Sequence, residues 1–172
     1  KLLPLESVEG IKVISTAGVI ENQNQALIWR GPLKIGLIRQ FLSNTDWGGD
    51  LDYLLIDAPP GTGDEPLTIG QLIPDLSGII LVTTSQDVAL IDVRKAVNFA
   101  RQLKVPLLGL IENMTEFKCP HCHKAIDLFR AGGGLKLAEE LGLDVLAEIP
   151  YERGIMEASE QGKNITDIAV DK

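Results

Sequence analysis

Two short stretches of this sequence combine residue types that can do chemistry. The first is Asp57-Ala58-Pro59-Pro60-Gly61-Thr62-Gly63-Asp64, which follows the apolar run Tyr53-Leu54-Leu55-Ile56. An acid at the end of a buried strand is poorly solvated and needs a partner such as a metal ion, a metal-bound water or a hydroxyl. Two prolines stiffen the exit, and two glycines let the backbone approach a ligand closely. A stiff loop ending in glycine N–H groups can report whether a terminal phosphate is present. The plainer alternative is a turn in which Asp57 bonds local backbone. The whole run, placed after an apolar strand, favours a nucleotide.

The second stretch is Cys119-Pro120-His121-Cys122-His123, which holds the chain's 2 cysteines. A Cys-x-x-Cys at a helix start lowers the first thiol's pKa, as a dithiol oxidoreductase requires. Here the motif sits in a glycine-bounded excursion, far from a first strand–helix unit. Cys-x-x-Cys-His also fits covalent haem attachment, but neither methionine is an evident axial ligand. Structural zinc and an iron–sulfur cluster remain, and both need four ligands where the chain supplies two thiolates. His121 and His123 could complete a monomeric zinc site only awkwardly. Two copies across a two-fold axis supply four cysteines without strain.

The elements that must position these stretches follow from periodicity. Ile11–Thr16, Ala26–Trp29, Tyr53–Ile56, Gly78–Val82, Pro106–Ile111 and Val145–Ile149 are β-branched or leucine-rich runs, predicted as strands. Helices are predicted from Pro32 through Leu42, from Asp87 to Leu103 with Ile91, Ala96, Val97 and Ala100 on one side, and from Gly134 to Leu141, stopping at Gly142. Apolar strands alternating with amphipathic helices predict an α/β fold, a parallel sheet in three layers with helices on both faces. Ligands of such sheets bind at the carboxyl ends of the strands, where every unusual motif of this chain falls.

The Asp57–Gly63 run resembles the Walker B and switch II segment of MinD-like P-loop ATPases, in particular the Mrp (ApbC-like) iron–sulfur cluster carriers. The likeness continues through Trp29-Arg30-Gly31-Pro32, Gln40-Phe41-Leu42, the segment 83–90, Glu112-Asn113-Met114, the cysteine pair and Gly132-Gly133-Gly134, and so covers nearly the whole chain. It implies that Asp57 holds Mg2+ through water, that Gly61 meets the γ-phosphate of ATP with its N–H, and that Pro150 starts a segment packing beside the base. It implies that Asn113 reads the adenine edge, where the residue alone is equally well a satisfied loop amide. Cys119 and Cys122 of two subunits would hold a labile 4Fe–4S cluster at a homodimer interface, for transfer to apo iron–sulfur proteins, with zinc a possible substitute. His121 and His123 are not ligands in that family and are expected to be exposed. Arg30 is equally open to a helix-starting turn, a phosphate or the other subunit.

One motif of the family does not occur: no glycine-rich run ending in Gly-Lys-Ser/Thr is present. Gly132-Gly133-Gly134-Leu135-Lys136 has no strand before it and no hydroxyl after the lysine. The expectation is an N-terminally truncated domain over 1–172, with a cysteine-bearing insertion at 113–131, lacking the first strand and phosphate loop and inactive by itself as an ATP hydrolase. The missing strand would lie between Tyr53–Ile56 and Ile79–Val82, leaving them apart unless they pair directly. A net charge of −8 argues against a nucleic-acid partner. No apolar run spans a bilayer and Lys1–Leu5 is too short for a signal peptide, so a reducing cytosol is expected and no membrane contact. The rivals are a MinD- or ParA-like positioning ATPase, which has no use for the cysteines, a dithiol oxidoreductase, and a zinc-stapled non-catalytic dimer.

Overall fold

A computed structural model describes residues 1–7, 9–19, 31–49, 51–119, 121–122, 124–126 and 132–164. The predicted strand Ala26–Trp29, the residues Trp29 and Arg30, and Pro120 and His123 lie outside them. The chain divides into two compact units, Lys1–Asp75 and Leu76–Lys172.

In the first unit, β1 (Leu5–Glu6) pairs antiparallel with β2 (Lys12–Val13), followed by α1 (Thr16–Val19), α2 (Gly31–Ser43) and α3 (Asp64–Leu72). The strand predicted over Ile11–Thr16 is thus two residues long and gives way to a helix at Thr16. Helices α2 and α3 pack together, and Lys34 Nζ meets Glu65 Oε1 at 2.6 Å. The predicted strand Tyr53–Ile56 does not form a ladder; Tyr53 and Leu55 are 85 % and 87 % exposed. An extended apolar segment becomes a strand only when a neighbour takes its backbone hydrogen bonds, and none does so among the described residues.

The second unit runs β3 (Ile79–Thr83), α4 (Asp87–Leu103), β4 (Leu107–Lys118), β5 (Ala125–Ile126), α5 (Gly133–Leu141), β6 (Val145–Tyr151) and α6 (Arg153–Glu160). Strands β3, β4 and β6 form a parallel sheet with β4 in the middle, and β5 adds antiparallel to the far end of β4. The α/β class therefore holds, with a mixed sheet rather than an all-parallel one. Strand β3 pairs with β4 alone among the described residues.

The core of this unit joins Leu81 and Leu110 of the sheet to Val93 and Val97 of α4 and Leu137 of α5, so both helices cover the same face. Val93, Val97 and Ala100 follow the helical repeat, while Ile91, expected on that stripe, is exposed. It stands roughly 200° around the helix from Val93. On the strand β3, Ile80 and Val82 point away from this core and are exposed. No helix among the described residues is long and apolar enough to cross a membrane.

Candidate functional site

The carboxyl ends of β3, β4 and β6 bring several of the singled-out residues together. In the parallel ladders Thr83 lies opposite Glu112, Glu112 opposite Glu148, and Asn113 opposite Ile149, which places Asn113 one step from Pro150. The β4–β6 ladder is then interrupted between Asn113 and Phe117. Met114, at the break, has a left-handed φ of 58°, and its N–H donates to Asn113 Oδ1 at 2.9 Å.

Beyond the break the strands meet again. Phe117 lies opposite Tyr151, and their rings make an edge-on contact with centroids 5.6 Å apart. On its other side β4 pairs with β5, Phe117 with Ile126 and Lys118 with Ala125. The Cys119 N–H closes this hairpin on the Lys124 carbonyl at 3.0 Å. Cys119 and Cys122 therefore hang from a two-sided strand end rather than from an unsupported loop. The Cys119 thiol is pulled below its ordinary value, first by the backbone N–H of His121, then by the Cys122 N–H and the Cys122 thiol. Two N–H groups aimed at one sulfur stabilise a thiolate, the form that binds metal. His121 is exposed. Among the described residues no three His, Cys, Asp or Glu side chains gather to hold a metal.

Glu112 also stands at this end of the sheet. In the sequence it stands in the Glu112-Asn113-Met114 likeness and as an acid following Leu110-Ile111 in an apolar strand. The side chain is fully buried, and Oε2 accepts the Leu135 N–H at 3.2 Å in the first turn of α5. The unpaired N–H groups and positive dipole end of a helix start suit a carboxylate. A Cβ on Gly134 would stand 3.0 Å from that carboxylate, and one on Gly133 would collide with the Ser85 carbonyl oxygen. The glycine run is thus the seam where α5 meets the ends of β3 and β4, and Glu112 fixes the point at which the chain returns from the cysteine hairpin.

Asp57 and Gly61 belong to the first unit. Asp57 is exposed, not at the mouth of a buried strand, because residues 53–59 make no ladder. Gly61 has φ 99°, a conformation open to glycine and strained for other residues. The loop ends where Asp64 and Glu65 open α3. Lys34, on α2, donates to Glu65, and this hydrogen bond holds the Glu65 carboxyl below its ordinary range.

Parallel strands whose carboxyl ends carry the special residues, joined by helices on the sheet, define the nucleotide-binding α/β class. The family profile described as ParA, NUBPL iron-transfer P-loop NTPase, matches residues 1–172, and the chain belongs to that family. The chain is 49 % identical over 161 residues to an iron-sulfur cluster carrier protein of Methanocaldococcus jannaschii, spanning 94 % of this chain and 55 % of that protein. It is 42 % identical over 173 residues to the cytosolic Fe-S cluster assembly factor CFD1 of Kluyveromyces lactis, spanning 98 % of this chain and 60 % of that one. Among solved structures it is similar to a nucleotide-binding protein of Archaeoglobus fulgidus in complex with ADP, with a TM-score of 0.75 and 37 % identity over 94 % of this chain and 61 % of that one. The chain thus spans little more than half the length of the curated relatives it matches.

Proposed function

We propose that this chain is part of a nucleotide-dependent iron–sulfur cluster carrier that holds a labile 4Fe–4S cluster between two copies of itself and passes it to apoproteins in the cytosol. The observation that carries the proposal is the Cys119–Cys122 turn: two thiols at the end of a supported hairpin, with backbone N–H groups directed at the first sulfur. Hydrogen bonds to sulfur are one of the levers that tune a cluster's stability and potential. The names of the relatives support the same reading. Two thiolates per chain and a four-ligand cluster lead to the two-fold dimer, with the 113–131 segment as its cluster-bearing insertion.

On the nucleotide side, Asp57 holds the Mg2+ environment of ATP, Gly61 senses the γ-phosphate, Asn113 reads adenine, and Pro150 opens the segment beside the base. The interrupted β4–β6 ladder places the last two within one step of each other. The 172 residues contain no Gly-Lys-Ser/Thr phosphate loop. Phosphoryl transfer depends on such backbone amides and lysine for most of its charge stabilisation, so these residues alone are expected not to turn over ATP. Steady-state phosphate release from the isolated 172 residues, lost on Asp57→Ala, would overturn that expectation.

Anaerobic reconstitution with iron and sulfide, followed by metal and sulfide analysis and a visible spectrum, tests the central claim. The expected result is broad iron–sulfur absorbance with one cluster per two chains. Stoichiometric zinc that iron and sulfide do not displace would favour the zinc-stapled dimer. A thiol pair that cycles with a dithiol reagent and takes up no metal would favour the oxidoreductase.

A further inference from the structure

Two lysines flank the cysteine pair, and the hairpin places them differently. Between Glu116 and Asp127 the chain carries Lys118 and Lys124 and no acid, in a protein whose net charge is −8. Both lysines are exposed, and among the described residues neither has a salt-bridge partner. The β4–β5 register sets Phe117 opposite Ile126 and Lys118 opposite Ala125, so the next step sets Cys119 opposite Lys124. The 3.0 Å bond from the Cys119 N–H to the Lys124 carbonyl marks that pair. Residues directly opposite in an antiparallel pair share a face, with Cβ atoms about 4.5–5.5 Å apart. Lys124 therefore lies beside the Cys119 thiol. Lys118 falls on the other face of the strand, which it shares with Glu116, a charge of opposite sign.

What a cation at position 124 would meet follows from the cargo. A 4Fe–4S cube held by four thiolates is a dianion at its usual oxidised level, because the thiolates outweigh the positive charge of the core. The behaviour of such a cluster depends on net charge and on what surrounds its sulfurs. A lysine is a compact charge on a flexible stem, so from position 124 its ammonium can reach over the neighbouring sulfur. Two copies across a two-fold axis bring two Lys124 side chains to one cluster. We infer that Lys124 is a counter-charge for the cluster: from across the hairpin it helps hold the dianion between the two copies and slows its release. This rests on the reading of the cysteine pair as the cluster site.

The test uses the full-length natural protein, reconstituted anaerobically with iron and sulfide, and follows loss of cluster absorbance to an iron chelator at low and at high salt. Lys124→Gln removes the charge, Lys124→Glu reverses it and Lys124→Arg keeps it. Lys118→Gln removes the same charge from the other face. At low salt Lys124→Gln should speed cluster loss about five-fold and Lys124→Glu about ten-fold or more, the scale of a unit charge acting on a dianion across a few ångströms of wet surface. Lys124→Arg should match the parent protein, and Lys118→Gln should stay within about two-fold of it. Added salt should shrink the Lys124→Gln difference, because exposed charges are screened beyond about 8 Å at physiological ionic strength. The cluster's reduction potential should fall in Lys124→Gln and hold in Lys118→Gln, since a nearby cation favours the form with the additional electron. A merely structural role for the side chain would not move it. Equal rates in Lys124→Gln and Lys118→Gln, a Lys124→Arg variant as leaky as Lys124→Gln, or a difference that salt leaves intact would overturn the inference. A parent protein that takes up no cluster fails the carrier reading, and the inference with it. A parent protein that loads a cluster, and holds it no better than Lys124→Glu does, fails the inference alone.

Discussion

The Asn113–Cys122 stretch and the Asp57–Gly63 loop both follow an apolar run that looks like the end of a strand, yet they are built in opposite ways. Asn113 lies on a strand laddered to β6, and the same strand carries on through an aromatic pair and a hairpin to Cys119. Asp57 follows a segment with no ladder, whose Tyr53 and Leu55 side chains face solvent. A ligand-binding group is as well placed as the element behind it is supported by packing and backbone pairing. In one region hydrogen bonds on both sides of a strand do this. In the other the described support comes later, where α3 packs on α2 and Lys34 ties its start to that helix.

The largest effect that distinguishes the two regions should come from the cysteines. Cys119→Ala and Cys122→Ala should each abolish reconstituted cluster absorbance, whereas Asp57→Ala should leave it intact in nucleotide-free protein. Absorbance retained in either cysteine variant would mean that the metal is held elsewhere. Next come the apolar positions. Leu110 is fully buried beneath the site, and Leu110→Ala should destabilise the protein by about 3 kcal/mol in denaturant titration. Leu55→Ala, at a position already open to water, should change stability by about 0.5 kcal/mol or less. Comparable losses at both positions would erase the contrast.

A smaller step tests the seam under the hairpin. Glu112→Ala strands the Leu135 N–H in a buried setting, a loss of about 1–3 kcal/mol, while Glu112→Gln keeps an oxygen for that N–H and should lose less. The order Gln worse than Ala would show that the N–H bond is not what Glu112 supplies. A further small effect belongs to the Lys34–Glu65 pair. Because Lys34 lowers the Glu65 pKa, the pair's contribution is complete above the ordinary glutamate range and disappears as pH falls through the lowered value. Lys34→Ala should therefore cost about 0.5 kcal/mol at neutral pH, with the difference from the parent protein vanishing in acid. A difference that grows on acidification would reverse the assignment.

Much of the second unit was legible in the sequence because its elements announce themselves locally. The helix expected over Asp87–Leu103 has those bounds, the Gly142 stop ends α5, and the apolar runs at Ile79, Leu107 and Val145 are the three parallel strands. What escaped depends on residues distant in the chain. Periodicity cannot tell that Tyr53–Ile56 lacks a partner strand among the described residues, nor that β4 continues seven residues past Ile111 by pairing with β5 and rejoining β6. Helix α3 was hidden by its glycine-flanked start, and α6 by its brevity. At the site, the cysteine spacing marked the pair as a candidate for metal or redox chemistry. The burial of Glu112 and the left-handed turn at Met114 had no such mark, since a single acid or methionine carries no positional signal until a helix start or a broken ladder stands beside it.

Gly61 and Gly133 would part company under saturation mutagenesis. No described atom comes within 4 Å of the place where a Cβ on Gly61 would sit, so within the described chain its backbone conformation is what restricts the position. Asparagine and aspartate, which visit the left-handed region, are the expected survivors there. At Gly133 the obstacle is the carbonyl oxygen of Ser85, a backbone atom that no rotamer change can move aside. Alanine is then as harmful as leucine, and the tolerated alphabet shrinks to one letter. Two glycines that look alike in the sequence would leave different signatures in a selection: one graded by conformational preference, the other all-or-none at the first added carbon.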